Sequence, residues 1–428
     1  MAAGTLAEEL QSAKVDMAQL HKHYKPMLRL VRELIGVVPN CDPYLEIWPA
    51  GFRTYNLLVP NLLNLPASLM GQGAPKDLVG LAMYVSSRAA ECMYCSAHTC
   101  SFALRRGATP EAVVGDYTAV ESAVASIADS LGAVPTAMTR SHIKELDQYL
   151  APADVEWIVL SVALMGFLNK FMDAMGIPLE PEAISDVAAL IEPTGWTTGK
   201  HLWGDDEHSA QTNGSFSGGG PSSVPKDSVA TYLRVLRQAP GAIKLESKWT
   251  KGVSGRIAPA LMMLEETIGY AFPILATLEH KRAVKAIATV LRENLDPGLT
   301  QVGLAAKCMS GLVFAKVIDD EMLIAEMIQL TQLLAPEVDP RILAEIGRYA
   351  ICDAEYATIP RGLSGREAAS IILAKAASTS PSNVNEITIS TVTEHLTAAQ
   401  IVELVVWLSV LQMLHRLYAY YDAKIGLI

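Results

Sequence analysis

Apolar residues recur three and four positions apart along most of this 428-residue chain, and this spacing restricts its fold more than any other feature. The pattern is clear in segments 78–90, 155–175 and 401–421. Strand-like alternation is scarce, and glycines typical of helix ends, such as Gly107 and Gly176, follow several segments. The spacing therefore predicts an all-α fold.

One stretch breaks the helical pattern near the middle of the chain. Residues 208–226 read HSAQTNGSFSGGGPSSVPK, which is rich in Gly, Ser and Pro and has no apolar period. Such a composition is typical of a flexible linker. We therefore predict a first helical domain over 1–207 and a second over 227–428.

The two predicted domains resemble each other in sequence. Residues 121–175 align with residues 367–421 without a gap, at a constant offset of 246. The alignment places Pro135 on Pro381 and the polar pair Asn169-Lys170 on His415-Arg416. A gapless match that keeps the proline and the loop lengths indicates an internal duplication.

Composition excludes several classes of function and partner. The chain has 34 basic and 45 acidic residues and a net charge of −11, which argues against nucleic-acid binding. We see no signal peptide, and the longest apolar runs are shorter than the ~20 residues of a membrane span, so we expect a cytoplasmic protein with no membrane contact. Only 18% of residues are charged, below the usual ~25%, which favours an oligomer that covers apolar surface.

Half of the six cysteines lie within nine residues, in the run Glu91-Cys92-Met93-Tyr94-Cys95-Ser96-Ala97-His98-Thr99-Cys100. Helical residues three apart are close enough for Cys92 and Cys95 to form a disulfide. His98, one step further on the same face, could take a proton from a thiol.

The other cysteines and the alternative of a metal site carry less weight. Zinc held by Cys92, Cys95, His98 and Cys100 is disfavoured, because four ligands so close on one helix would point to different faces. We therefore predict no metal. Cys41, Cys308 and Cys352 are isolated in sequence and are expected to be buried core thiols.

The pattern SxxxxCxYCxAHT over 87–99 resembles the alkyl hydroperoxidase D-like/carboxymuconolactone decarboxylase family. Two later runs, 163–180 (ALMGFLNKFMDAMGIPLE) and 195–201 (GWTTGKH), are similar to that family's C-terminal region. The resemblance covers about residues 76–201 and extends through 365–422 in the second half.

The resemblance implies an all-α oligomer with a dithiol that cycles through a disulfide. Cys95 would attack a peroxide, Cys92 would resolve the product, and His98 would belong to a proton relay. An external dithiol reductant is implied, and no bound cofactor. The chain departs from the peroxidase branch at two positions, where Gly80 replaces a glutamate and Thr99 replaces a histidine.

The second half lacks the CxxC motif. Residues 305–311 (AAKCMSG) resemble residues 89–95 at an offset of 216, which predicts Gly311 in place of Cys95 and Phe314 in place of His98. An insertion would then lie around 319–346. At the main offset of 246, Val338 and Arg341 would replace the two cysteines instead. In both alignments the second domain is a degenerate copy.

Three functions remain open at this point. The first is a dithiol redox enzyme that reduces a peroxide or a disulfide through Cys92 and Cys95. The second is a lyase, such as a decarboxylase, that acts on a small acid with His98 as acid or base. The third is a non-catalytic oligomeric binding protein. A homotrimer of two-domain chains is the predicted assembly in each case.

Overall fold

The computed structural model describes residues 4–202, 224–353 and 358–426, which form α-helices, short 3₁₀ turns and loops and contain no strand. The helices before the predicted linker are α1 (Leu6–Glu9), α2 (Met17–Ile35), α3 (Asp42–Leu45), α4 (Pro49–Leu62), α5 (Lys76–Ala89), α6 (Met93–Arg106), α7 (Pro110–Val113), α8 (Ala119–Gly132), α9 (Arg140–Leu146), α10 (Pro152–Met175) and α11 (Pro181–Ile191). Those after it are α12 (Val229–Trp249), α13 (Ile257–Ile268), α14 (Lys281–Asn294), α15 (Leu304–Val317), α16 (Glu321–Leu334), α17 (Pro340–Ile351), α18 (Gly365–Ser378), α19 (Glu386–His395) and α20 (Ala398–Ile425). The predicted all-α class is confirmed.

Helix bounds recur at the offset of 246 that the sequence alignment uses. Both bounds of α8 recur in α18 at this offset, and the starts of α9 and α10 recur in the same way in α19 and α20. α8 and α18 also begin with the same capping box, in which Thr118 pairs with Glu121 and Ser364 pairs with Glu367. The alignment of 121–175 with 367–421 therefore corresponds to repeated structure.

The motif helix of the second half lies at a different offset from the one the sequence suggested. Both bounds of α5 recur in α15, and both bounds of α6 recur in α16, at an offset of 228 (304 − 76). Glu91 and Asp319 correspond at this offset and share a left-handed backbone. The offset of 216 is wrong, and so is the placement of Gly311 and Phe314 at the motif positions. The positions of Cys92, Cys95 and His98 are held instead by Asp320, Leu323 and Glu326.

The reason for the misalignment is the length of the segment between α16 and α18. The helix in this segment is α17, which has 12 residues, whereas the first half has the four-residue α7 in its place. The offset therefore increases from 228 before this segment to 246 after it. The resemblance between 89–95 and 305–311 was a local match of small apolar residues on two different elements, the α5–α6 junction and α15.

The halves pack through their longest helices, α10 and α20. Lys170 on α10 donates to the carbonyl oxygens of Ala377 and Ser378 at the end of α18, at 2.8 and 3.0 Å. Arg416, the counterpart of Lys170 on α20, donates to the carbonyl of Gly132 at the end of α8, at 3.1 Å. Since Gly132 is the counterpart of Ser378, the same contact is made in both directions, as at a twofold axis.

Elements of the two halves also meet away from these helices. Of the predicted linker 208–226, residues 208–223 lie outside the described residues. Where the described chain resumes, Asp227 forms an ion pair with Arg106 of α6 at 2.6 Å, and α12 then packs against α2. The division into domains 1–207 and 227–428 stays a prediction.

α10 and α20 are long and apolar enough to cross a membrane by length and composition. In the most apolar window of each helix, 94% and 89% of the residues are buried inside the protein. Core helices of a folded protein pass the same test, and here the two helices cover each other.

Candidate active site

The two cysteines of the CxxC motif lie at the start of α6. Glu91 has a left-handed backbone (φ 52°), which turns the chain from α5 into α6. Cys92 is the N-cap residue, and its Sγ accepts a hydrogen bond from the backbone N–H of Cys95 at 3.3 Å. The positive end of the helix dipole therefore faces the Cys92 sulfur, and this position favours a thiolate.

Both thiols are free and buried. Cys92 is 0% exposed and Cys95 is 3% exposed. Burial, and then the neighbouring Cys92, raise the pKa of the Cys95 thiol well above its ordinary range. Cys95 is therefore protonated at rest, so its ionisation needs a base and a compensating positive charge.

A base lies one turn further along α6. His98 Nε2 is 2.6 Å from Glu180 Oε2, and Tyr94 donates its hydroxyl to Glu180 Oε1 at 2.9 Å. The backbone N–H of Asn40 donates to Glu180 Oε1 as well, at 2.5 Å. Glu180 is the N-cap residue of α11, so the start of this helix brings a carboxylate to the cysteine motif.

The contacts of Glu180 decide its charge. Its burial opposes ionisation, but His98 and the hydrogen bonds outweigh that effect and hold the pKa of Glu180 below its ordinary value. Because Glu180 is a carboxylate, Nε2 of His98 carries the hydrogen between them. In neutral His98 the Nδ1 atom is then the free base.

Cys95 and His98 line the same small cavity. Tyr94 and Thr99 add polar atoms to its wall, and the other lining residues are mainly apolar, including Leu164, Leu168 and Met172 of α10. About 70 Å³ is open to the centre of a water-sized sphere. One water needs about 10–15 Å³ by this measure, so the cavity suits a substrate of a few heavy atoms.

Two cations are buried behind the motif, one from each half. Burial lowers the pKa of Lys170 to about 7 and that of Arg416 to about 9. The negative charge of an ionised Cys92 acts on both groups in the opposite direction. Sequence analysis aligned these two residues with each other but assigned them no role at the site.

The two departures from the family pattern have structural reasons. Gly80 lies where α5 crosses α6, and a Cβ there would be 2.7 Å from the Cα of Ala103, so a glutamate does not fit. Thr99 donates to the carbonyl of Cys95 at 2.6 Å and thus bonds within its own helix. Glu180 supplies the carboxylate that the position of Gly80 lacks.

The remaining cysteines do not converge with the motif. Cys100 and Cys308 are fully buried, and burial raises the pKa of each to about 12. Cys41 is also fully buried, near Glu180 and Cys95. Among the described residues, no three His, Cys, Asp or Glu side chains are arranged to hold a metal ion, so the four ligands considered for zinc do not fit one.

The second half has different chemistry at the equivalent position. Asp320 accepts the hydrogen bond from the N–H of Leu323 that Cys92 accepts in the first half, and it also lies 2.6 Å from His415 Nδ1. Glu326, in the place of His98, accepts hydrogen bonds from Tyr418 and Tyr270. Neither thiol of the first site has a counterpart here.

Comparisons with known proteins give a distant structural match over part of the chain. No protein-family model matches the chain, and no curated protein matches it. Among solved structures, the apo form of the debrominase Bmp8 matches with a TM-score of 0.37 and 21% identity, over 42% of this chain and 95% of that one. A cysteine-to-alanine variant of Bmp8 in complex with 2,3,4-tribromopyrrole matches with the same values. At this identity and TM-score, the likeness says nothing about the activity of this chain.

The structure brings the three predicted residues Cys92, Cys95 and His98 together around one helix start. Sequence analysis missed Glu180, which lies 82 residues after His98 and was noticed only as the last residue of a family-like run. It also missed the role of Tyr94 inside the motif. That these residues are catalytic stays a prediction.

Proposed function

We propose that this chain is a dithiol redox enzyme of the alkyl hydroperoxidase D-like type, which reduces a small peroxide with Cys95 and Cys92. The observation that carries the proposal is the geometry at the start of α6. Cys95 opens onto a small apolar cavity beside His98, while the Cys92 sulfur lies within hydrogen-bond distance of the Cys95 backbone. An attacking thiol, a resolving thiol and a base thus share one turn and a half of chain.

The chemistry follows from these positions. His98 accepts the proton of the Cys95 thiol, and the thiolate attacks one oxygen of the peroxide ROOH. The O–O bond breaks, Cys95 becomes a sulfenic acid, and the departing RO⁻ takes the proton back from His98 and leaves as ROH. Cys92 then condenses with the sulfenic acid, which forms the Cys92–Cys95 disulfide and releases water.

The cycle closes with an external dithiol. One of its sulfurs attacks the disulfide, its second sulfur displaces the mixed disulfide, and both protein thiols are restored. The enzyme would act in the same way on a small disulfide substrate in place of the peroxide, since the protein chemistry from the Cys92–Cys95 disulfide onward is identical.

The test separates the two thiols by trapping the intermediate. We expect Cys92→Ser to accumulate a sulfenic acid at Cys95 after one equivalent of peroxide, detected as a dimedone adduct by mass spectrometry. Cys95→Ser should leave Cys92 unoxidised under the same conditions. Cys308→Ser, which removes a buried thiol elsewhere, is the matched control and should still form the disulfide. Peroxide turnover that survives Cys95→Ser would contradict the proposal.

A second candidate function has one observation in its favour. The His98–Glu180 pair is an acid–base couple on the cavity wall that needs no thiol. A lyase that removes carbon dioxide from a small cyclic acid could use it. Turnover of such an acid that is retained in Cys95→Ser and lost in His98→Asn would favour this function over the first.

A further inference from the structure

Arg416 is a residue of the second half that lies inside the first half. Its Nη1 donates to the hydroxyl of Ser86 at 2.7 Å and to the carbonyl of Val162 at 2.8 Å, and its Nη2 donates to the carbonyl of Gly132 at 3.1 Å. All three acceptors belong to helices of the first half and all are neutral. The side chain is 0% exposed.

This guanidinium has no anion beside it. No ion pair of Arg416 is found within the three described stretches of the chain, and its Nε has no hydrogen-bond partner. A buried cation without a counter-charge is costly, because neither water nor a carboxylate compensates it. Such a charge favours the ionised form of any acid close to it.

The acids close to Arg416 are the two thiols of the motif. Ser86, which binds Arg416, immediately precedes Ser87, whose carbonyl accepts the backbone N–H of Cys92 at 3.1 Å. Burial lowers the pKa of Arg416 to about 9, while the charges of Cys95 and then Cys92 act in the opposite direction. At pH 8 Arg416 is therefore mostly charged.

The other ionisable groups around the dithiol cannot replace it. Asp173 and Cys41 both disfavour a thiolate at Cys95, and Asp173 is paired with Lys200 at 2.9 Å. Lys170 acts on Cys92, but its pKa of about 7 leaves it mostly neutral at pH 8.

We propose that Arg416 is a positioning residue of the active site, which the second half contributes to hold the negative charge of the Cys95 thiolate. When Cys95 gives its proton to His98, the thiolate and the guanidinium compensate each other in the buried interface. When the disulfide forms, this anion is lost and Arg416 is again uncompensated. The degenerate half thus completes the site of the active half, and the inference rests on the proposed function of the dithiol.

The test measures the ionisation of Cys95 directly. Iodoacetamide reacts with thiolates, so the rate of Cys95 alkylation between pH 6 and 10, followed by peptide mapping, reports the pKa of this thiol. An opposite charge nearby shifts a pKa by about one unit or more, so Arg416→Gln should slow alkylation at pH 8 about tenfold or more. Arg416→Lys keeps the charge and should restore most of the rate.

Arg282→Gln is the matched control. Arg282 also binds neutral acceptors, the carbonyl of Leu65 at 2.6 Å and the side-chain oxygen of Asn61 at 3.1 Å, but it lies away from the dithiol. Its loss should leave the Cys95 profile unchanged. A wild-type profile in folded Arg416→Gln, or the same slowing in Arg282→Gln, would overturn the proposal.

A second variant covers the case in which Arg416→Gln does not fold. Ser86→Asp keeps Arg416 and gives its guanidinium a carboxylate partner, so it should slow Cys95 alkylation at pH 8 about tenfold as well. An unchanged profile in Ser86→Asp would overturn the proposal. If wild-type protein forms no disulfide with peroxide, the proposed function fails, but the alkylation profiles still decide whether Arg416 stabilises the thiolate.

Discussion

Glu326 gives a stability prediction with a magnitude and a sign. This residue of α16 is 4% exposed, and burial raises its pKa from 4.5 to about 7. Its Oε1 accepts hydrogen bonds from Tyr418 and Tyr270, but its Oε2 has no partner among the described atoms. The folded protein therefore holds a proton here that the unfolded chain releases at lower pH.

The sign follows from the two pKa values. Below about pH 4.5 both states are protonated, and the contribution of this group to folding stability is fully present. As the pH rises from 4.5 to 7, the unfolded chain ionises first, so the free energy of unfolding decreases until the folded protein also ionises. A difference of about 2.5 units corresponds to about 3 kcal/mol, of which roughly 2 to 3 kcal/mol develops between pH 5 and pH 8.

Glu326→Gln removes this titration and keeps the shape of the side chain and the acceptor Oε1. We expect the free energy of unfolding of the variant to rise relative to wild type by roughly 2 to 3 kcal/mol between pH 5 and pH 8. Urea unfolding at several pH values, followed by circular dichroism, measures the difference. Glu266→Gln on α13 replaces an exposed carboxylate and is the control, for which the difference should stay flat.

Two results would refute the reasoning on Glu326. One is a difference between Glu326→Gln and wild type that does not change from pH 5 to pH 8. The other is a difference that decreases as the pH rises, since that would mean a carboxylate stabilised by the fold rather than a neutral acid.

The remaining predictions concern the relay, the helix crossing and the assembly. Glu180→Gln should slow disulfide formation at the dithiol at least tenfold, because the partner of His98 loses its charge, and stopped-flow oxidation with peroxide checks this. Gly80→Ala should lower the free energy of unfolding by about 1 to 3 kcal/mol through overpacking, whereas Gly347→Ala, whose Cβ has open space, should not lower it. The chain should form a trimer by light scattering, and Leu233→Glu, on the exposed apolar face of α12, should reduce the mass.

The helical class and the motif could be predicted from the sequence because both are local. Apolar spacing decides which face of a helix is buried, whatever that face packs against. Cys92, Cys95 and His98 lie within seven residues, so any helix or helix start brings them together. The helix start itself was not recognised, because Cys92 is the N-cap and cysteine is not one of the usual cap residues.

What could not be predicted depends on tertiary contacts. Glu180 reaches His98 only because the loop before α11 folds back onto α6, and no periodicity in the sequence records that loop. The offset of the second motif helix was missed because the segment that contains α17 is longer than its counterpart around α7, and no sequence signal marks the added length. Arg416 was aligned with Lys170, but only the packing of α10 on α20 shows that each enters the opposite half.

The central claim is that Cys92 and Cys95 are a redox pair, and one measurement tests it most directly. Reduced wild-type protein is treated with one equivalent of hydrogen peroxide, blocked with iodoacetamide, digested and mapped by mass spectrometry. The account predicts an intramolecular Cys92–Cys95 disulfide as the main product, with Cys41, Cys308 and Cys352 still reduced. Equal lack of oxidation at all six cysteines, or a disulfide that excludes Cys95, would contradict it.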